Sequence, residues 1–312
     1  MGRLIRLASD GRGSHYGAVR GAFESLARVA YHADWPARVW ARVPGSANVR
    51  VIERSLPMLP RGAKPIRVGF ASDLHFGPTT PESVLVAAAR ALSQARLDVL
   101  LLGGDYVFLD ATKSRVAALA AWVESIPARI KLAVLGNHDL WAEHDRIEGA
   151  LRDGGARVLV NEHASLDAGG QTVVVGLDEP WTGRADVGAL SAAGDAQAMV
   201  VLCHSPEAVP MTRDALAARP SPVRALYLCG HTHGGHVATP WGPVVVPGRF
   251  GRAHPSGPYT FPELSLFVSR GVGATEVAMR LFAPPDVLVL SLVAAESSVE
   301  LTKITSPTGP PL

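Results

Sequence analysis

The sequence predicts an α/β protein of helix-covered sheets, on three observations. From residue 66, short apolar runs alternate with segments of helical spacing. The runs are apolar at consecutive positions, as in Val99-Leu100-Leu101-Leu102, so each strand must be buried on both faces. Later in the chain the runs become more frequent and the pattern turns β-rich.

The elements follow in order. Residues 15–33 read as an amphipathic helix, with Val19, Phe23, Leu26 and Ala30 on one face and Arg20, Glu24, Arg28 and His32 on another. Trp35-Pro36 breaks it, and Val39-Trp40 starts a second apolar patch. Pro44-Gly45-Ser46 and the stretch from Pro57 to Pro65 punctuate the way into the main domain. The expected division is therefore a helical segment and linker over 1–60, a main domain over 61–296, and a mobile tail over 297–312. In the main domain, strands are expected at Ile66–Ser72, Asp98–Leu102, Lys131–Leu135 and Ala156–Val160, with helices at Ser83–Gln94, Ser114–Glu124 and Glu143–Asp153. Further strands are expected at Thr172–Gly176, Met199–Cys203, Ala225–Cys229, Val244–Val246, Leu264–Val268 and Val287–Leu292.

Composition narrows the function. With 47% apolar and 19% charged residues in 312, the chain is not of disordered type, and it can bury a large core. No apolar run reaches the ~18 residues of a membrane span, and the N-terminus lacks the apolar centre and cleavage site of a secretory signal. The net charge of +2 is unevenly spread: residues 1–50 hold eight Arg against Asp10, Glu24 and Asp34. The remainder is net acidic, a poor background for nucleic acid. The basic segment over residues 15–43, with Tyr16, Phe23, Tyr31, Trp35 and Trp40, has two readings. It packs on the domain beside it, or it lies on an anionic membrane, peripheral at the inner face. Cys203 and Cys229 make no disulfide framework and fit the reducing cytoplasm; each reads as a small buried hydrophobe.

Five polar clusters follow five apolar runs: Asp73-Leu74-His75, Gly103-Gly104-Asp105, Gly136-Asn137-His138-Asp139, His204, and Gly230-His231-Thr232-His233. In open α/β sheets ligands bind outside the carboxyl ends of strands, so the clusters can converge. Asp, Asn and His form a mixed nitrogen and oxygen donor set suited to borderline divalent metals. Taken as Asp, His, Asp, Asn, His, His and His, seven donors from these clusters are too many for one tetrahedral ion and suffice for two ions sharing a carboxylate, the arrangement that clamps a phosphoryl group. The glycines beside them, Gly103, Gly104, Gly136, Gly230, Gly234 and Gly235, are expected to permit tight turns.

These five motifs, in this order over residues 66–293, resemble the signature of calcineurin-like metallophosphoesterases. Gly230 to Gly235 followed by Pro240, then Ser269 to Gly273 and Arg280, is similar to the bacterial branch typified by the YkuE and YaeI phosphoesterases. The resemblance implies a four-layer α/β/β/α sandwich of two mixed sheets with a dimetal site at one rim. It implies that Asp73, His75 and His233 hold one metal, that Asn137, His204 and His231 hold the other, and that Asp105 bridges. The metals implied are two divalent ions, Mn, Fe, Zn or a mixture. His138 is then the catalytic residue, protonating the leaving oxygen or stabilising the phosphoryl charge. Arg270, Arg280 and His236 are candidate substrate contacts, His236 being equally a support for the site. The implied reaction is hydrolysis of a phosphodiester by a metal-bound hydroxide. The alternatives are a UDP-2,3-diacylglucosamine pyrophosphate hydrolase acting on a lipid-linked substrate, and a metal-binding scaffold without turnover.

The chain departs from the wider pattern at the second motif. Many relatives carry an Asp three residues after the bridging one, which orients the catalytic His; here Phe108 stands there, and Asp139 or Asp110 is left to substitute. Leu109 replaces the Arg of protein Ser/Thr phosphatases, and Phe108 and His75 do not match purple acid phosphatases. All five motifs lie beyond residue 72, so the centre is expected to form without the N-terminal segment.

Overall fold

The structure, a computed structural model, describes residues 17–239, 241–276 and 278–295. Tyr16, the start of the expected N-terminal helix, Pro240 and the expected tail over 297–312 lie outside the described residues. In chain order the elements are α1 (Ala18–Ala30), α2 (Trp35–Trp40), β1 (Arg50–Leu59), β2 (Ile66–Ala71), α3 (Glu82–Gln94), β3 (Val99–Leu102), α4 (Lys113–Glu124), β4 (Ile130–Ala133), α5 (Asn137–Trp141), α6 (His144–Asp153), β5 (Arg157–Val158), β6 (Glu162–Ser165), β7 (Thr172–Gly176), α7 (Gly188–Ala192), β8 (Ala198–Leu202), α8 (Val209–Ala217), β9 (Arg224–Cys229), β10 (Ala238–Thr239), β11 (Gly242–Pro243), α9 (Arg249–Ala253), β12 (Gly257–Thr260), β13 (Ser265–Val268) and β14 (Asp286–Ala294).

The strands pair into two six-stranded sheets, in the orders β1-β14-β2-β3-β4-β5 and β12-β13-β9-β8-β7-β6. Both are mixed: β2 to β5 run parallel with β14 antiparallel to β2, and β7, β8, β9 and β13 run parallel between antiparallel edges β6 and β12. The all-apolar strand β3 shows why. Val99 and Leu101 face the other sheet, packing with Val200, Leu202 and Leu228, while Leu100 and Leu102 face the helices. On that outer side α3, α4 and α6 contribute Leu85, Leu92, Trp122 and Leu151. The second sheet is covered outside by α7 and α8 through Leu190, Val209 and Leu216. The result is the four-layer α/β/β/α sandwich, in which each fully buried Leu contributes roughly 1.5–3 kcal/mol.

Two segments differ from the sequence expectation. Residues 50–59, expected as linker, form β1, which pairs parallel with β14 from Arg50–Asp286 to Leu59–Ala294. Its charged residues and Pro57 mask the strand signal, and an edge position tolerates both. Residues 244–246, expected as a strand, follow the two-residue strands of the β10–β11 hairpin without entering a ladder, leaving Val244 62% and Val245 72% exposed.

Helix α1 is rotated relative to its apolar stripe, of which Phe23 stays against the domain. Leu26 and Val29 are 68% and 74% exposed, whereas Glu24 is 2% exposed. The helix docks through Ala27 against Phe108 and Leu109, with Phe23 and Tyr31 beside them. Farther on, Trp40 is buried in the core of the main domain, and the Ala37 N–H bonds the Pro78 carbonyl. Among the described residues no helix is long and apolar enough to cross a membrane.

Candidate metal centre

Each candidate ligand sits a few residues past a strand end. Asp73 and His75 follow β2, Asp105 follows β3, Asn137 opens α5 after β4, His204 follows β8, and His231 and His233 follow β9. Backbone bonds lock these loops together. Asp73 N–H donates to Gly104 O at 2.8 Å and His75 N–H to Asp105 O at 3.1 Å, carrying the β2–β3 pairing beyond the strands. Gly230 N–H donates to His204 O at 2.9 Å in the second sheet. The two sheets meet where the His231 N–H donates to Asp73 Oδ1 at 3.1 Å.

This convergence bends the backbone sharply. Asp73, His75, Asp105, His231 and His233 have φ of 55°, 46°, 57°, 71° and 52°. Non-glycine residues rarely adopt that left-handed region, and such strain clusters at functional sites. Gly136 and Gly230, expected to permit tight turns, have a different use. A Cβ on Gly136 would lie 2.1 Å from Asp105 Oδ1, and one on Gly230 would lie 2.1 Å from Asp73 Oδ2. They leave room for the two carboxylates.

The side chains form two triads. Asp73, His75 and His233 make one: the His75 and His233 Nε2 atoms are 3.3 Å apart, and His233 Nε2 is 3.4 Å from Asp73 Oδ1. Asp105, His204 and His231 make the other: His204 Nε2 is 3.2 Å from Asp105 Oδ2 and 3.2 Å from His231 Nδ1. Asp105 Oδ2 also lies 3.7 Å from His75 Nε2, between the triads. The buried Asn137 Oδ1 has no hydrogen-bond partner among the described residues. Clustered imidazole nitrogens, two buried carboxylates and an orphaned amide oxygen fit two borderline divalent cations. His204 shows the matching support: its Nδ1 meets the Gly103 carbonyl at 2.8 Å, which directs the Nε2 lone pair into the triad.

Burial and neighbouring charges set the electrostatics of the cluster. Burial pushes Asp73 up to about 6 and His231 down to about 3, and holds His75 and His233 well below their ordinary value. For Asp105 burial is outweighed by His204, His138 and His75, which hold the carboxylate ionised. For His204 burial is outweighed by Asp105, which lifts it to about 10. A proton on His204 thus supplies positive charge that a divalent cation would replace, so metal binding releases protons.

The other candidates are placed as follows. His138 is 9% exposed and outside both triads; its N–H donates to Asp105 Oδ1 at 2.9 Å, and its ring lies 5.1 Å from that of His75. Burial lowers its pKa, with Asp105 opposing and Arg20 reinforcing. Among the described residues, the carboxylates of Asp139 and Asp110 are engaged elsewhere than at its ring. Asp139 accepts backbone N–H bonds from Asp105, Tyr106 and Gly136, and Asp110 pairs with Arg28. His138 Nδ1 instead meets Arg20 of α1 at 3.2 Å, so the N-terminal segment reaches the centre that was expected to form without it. His236 stacks on His233 at 4.2 Å and meets Thr275 Oγ1 at 3.0 Å. Arg280 lies 3.0 Å from His233 Nδ1 and donates to the Arg270 and Gly273 carbonyls; Arg270 faces Asp286.

Several residues near the centre escape sequence reasoning. Glu179 is fully buried, raised to about 7 by burial, and has an unpartnered Oε1. Trp141 and Trp181 have ring centroids 6.4 Å apart, and Trp181 lies 5.8 Å from His231, forming an aromatic wall. None belongs to a motif with metal-ligand spacing.

The calcineurin-like phosphoesterase family model matches residues 66–235, the span holding all seven candidate ligands. The chain belongs to this family. Its members are dimetal-dependent phosphoester hydrolases, and the two triads here are this member's candidate sites. The metallophosphoesterase YkuE of Bacillus subtilis (strain 168) is 27% identical over 75% of this chain and 82% of its own length. Phosphodiesterase YaeI of Escherichia coli (strain K12) is 30% identical over 78% and 88%. Among solved structures, a 5'-nucleotidase precursor from Thermus thermophilus aligns with a TM-score of 0.42 and 16% identity, covering 74% of this chain and 55% of that one.

Proposed function

We propose that this phosphoesterase hydrolyses a phosphodiester at the two-triad centre. The observation carrying the reading is that Asp105 lies between two histidine-rich triads with His138 held beside them and outside both. Asp73, His75 and His233 would hold one cation, Asn137, His204 and His231 the other, and Asp105 both. Manganese, iron and zinc suit these donors. The cations supply Lewis-acid neutralisation of the phosphoryl charge and a lowered pKa for an attacking water. His138 donates a proton or a hydrogen bond to the substrate's phosphoryl or leaving oxygen. Trp141 lies beside His138 and Trp181 beside His231, and Arg280 and His236 support His233. The preference for diesters rests on the name of YaeI.

A second reading, a lipid-linked phosphoester met at the inner membrane face, rests on exposed apolar side chains. Trp241 is 92%, Phe282 71%, Leu26 68% and Trp35 45% exposed. Trp35 lies in the segment over 15–43, whose Arg38 and Arg42 suit anionic lipid.

A panel on metal-reconstituted protein tests both readings. It compares bis(4-nitrophenyl) phosphate, 4-nitrophenyl phosphate, cyclic nucleotides and UDP-2,3-diacylglucosamine, the last with and without anionic vesicles. Diester turnover should exceed monoester turnover and vanish with chelator. Monoester preference would overturn the first reading, and indifference of the lipid substrate to vesicles the second.

A further inference from the structure

Helix α1 turns its charged side inward, and the reason lies at His138. The Arg20 side chain, only 18% exposed, meets Glu276 Oε1 at 2.7 Å and Glu24 Oε1 at 3.2 Å. Its guanidinium sits 4.6 Å from the centroid of the Trp141 ring. Its Nη2 reaches His138 Nδ1 at 3.2 Å. The helix is clamped in this pose by residues that follow Arg20. Arg28 pairs with Asp110 at 2.9 Å and with Glu24 at 3.1 Å, and the Tyr31 hydroxyl donates to the Glu276 carbonyl at 2.7 Å. Two buried or half-buried glutamates thus aim one guanidinium at one imidazole nitrogen.

A guanidinium has five N–H donors and no acceptor. Its hydrogen bond to Nδ1 requires a lone pair there, so the ring proton sits on Nε2. Where many relatives orient this imidazole with a carboxylate, the partner here carries the opposite charge. We propose that Arg20 is a positioning residue of the hydrolytic centre: it fixes the orientation and tautomer of His138, so that Nε2–H donates a hydrogen bond to a phosphoryl oxygen of the substrate. The ring keeps its proton throughout, and no bond to it is made or broken. The N-terminal helix is then part of the active site. The inference rests on the reading of His138 as a substrate-facing group and deepens it.

The test uses the full chain reconstituted with zinc, and bis(4-nitrophenyl) phosphate as substrate. Arg20→Ala should lower kcat about 10–10²-fold, the scale of a small misplacement of a catalytic group, with KM and zinc content little changed. Arg20→Lys, which keeps one donor, should recover part of the loss, and Val29→Gln on the exposed face should change nothing. In an Arg20→Ala/His138→Ala cycle the arginine change should cost nothing further once the imidazole is gone. Nitrogen-15 NMR of the histidine rings should show His138 with its proton on Nε2 in the wild type and a shifted tautomer balance in Arg20→Met. A His138 proton on Nδ1 in the wild type, or an equal loss from Arg20→Ala with and without His138, would overturn the inference. Unchanged kcat in His138→Ala would instead overturn the reading of His138 itself.

Discussion

Replacing Asp139 tests whether this buried carboxylate holds the ligand loops, as the structure shows, or orients His138. Its Oδ2 accepts from the Asp105 N–H at 2.8 Å and the Gly136 N–H at 2.9 Å; its Oδ1 accepts from the Tyr106 N–H at 2.8 Å. The group is fully buried, so Asp139→Ala strands these three backbone donors, and the Val107 N–H that reaches Oδ1 at 3.4 Å, away from solvent. Each stranded donor costs about 1–3 kcal/mol, and a water entering the vacated space re-satisfies part of the set, so the expected loss is about 3–6 kcal/mol. Asp139→Asn keeps the shape. Its oxygen can serve Asp105 and Gly136, while its NH2 opposes the Tyr106 N–H and relieves repulsion from Asp105, which helps raise the Asp139 pKa to about 7 after burial itself. About 1–3 kcal/mol is expected. Urea unfolding with and without zinc measures both. Because Asp139 grips the backbone of Asp105 and of Gly136 beside Asn137, zinc affinity should fall about 10–10²-fold in Asp139→Ala, read by competition with a chromogenic chelator. A variant within about 1 kcal/mol of wild type in stability and unchanged in zinc affinity, yet slow in turnover, would refute this reasoning and return Asp139 to an orienting role.

Asp105→Ala should be the most damaging single ligand change, because its carboxylate lies between both triads; elemental analysis should find at most one tightly held metal per chain, and two would refute a bridging role. For the metal-free protein in chelator, stability should rise from pH 4 to about 6.5 and fall above 7. Buried His75, His138, His231, His233 and His236 are held below their ordinary value, so the unfolded chain binds more protons up to about 6.5 and stability rises with pH. Asp73, Asp139 and Glu179, raised to about 6, 7 and 7, act oppositely from about pH 4 to 7 but are fewer. His204, raised to about 10, contributes stability that is lost between 6.5 and 10. Urea midpoints at pH 5, 6.5 and 8 check this, and a higher midpoint at pH 5 than at 6.5 would sink it.

By itself the sequence determined the α/β class, most of the strands in both sheets, and the seven ligand candidates. The physical reason is local: a buried parallel strand must be apolar along its length, and its ligand follows within a few residues of its end, so spacing along the chain stands in for position in space. Asp73 after β2, Asp105 after β3 and His204 after β8 were legible for that reason. Tertiary structure decided what depends on distant partners. The edge strand β1 is defined by its ladder with β14, not by periodicity. The inward turn of the polar face of α1 leaves Leu26 and Ala30 of its apolar stripe in solvent, because Arg20 finds Glu276 and His138 across 256 and 118 positions of chain. Which residue attends His138 was likewise fixed in space: Asp139 was the near candidate in sequence, but its oxygens are taken by four backbone donors, and the arginine from the first helix fills the place.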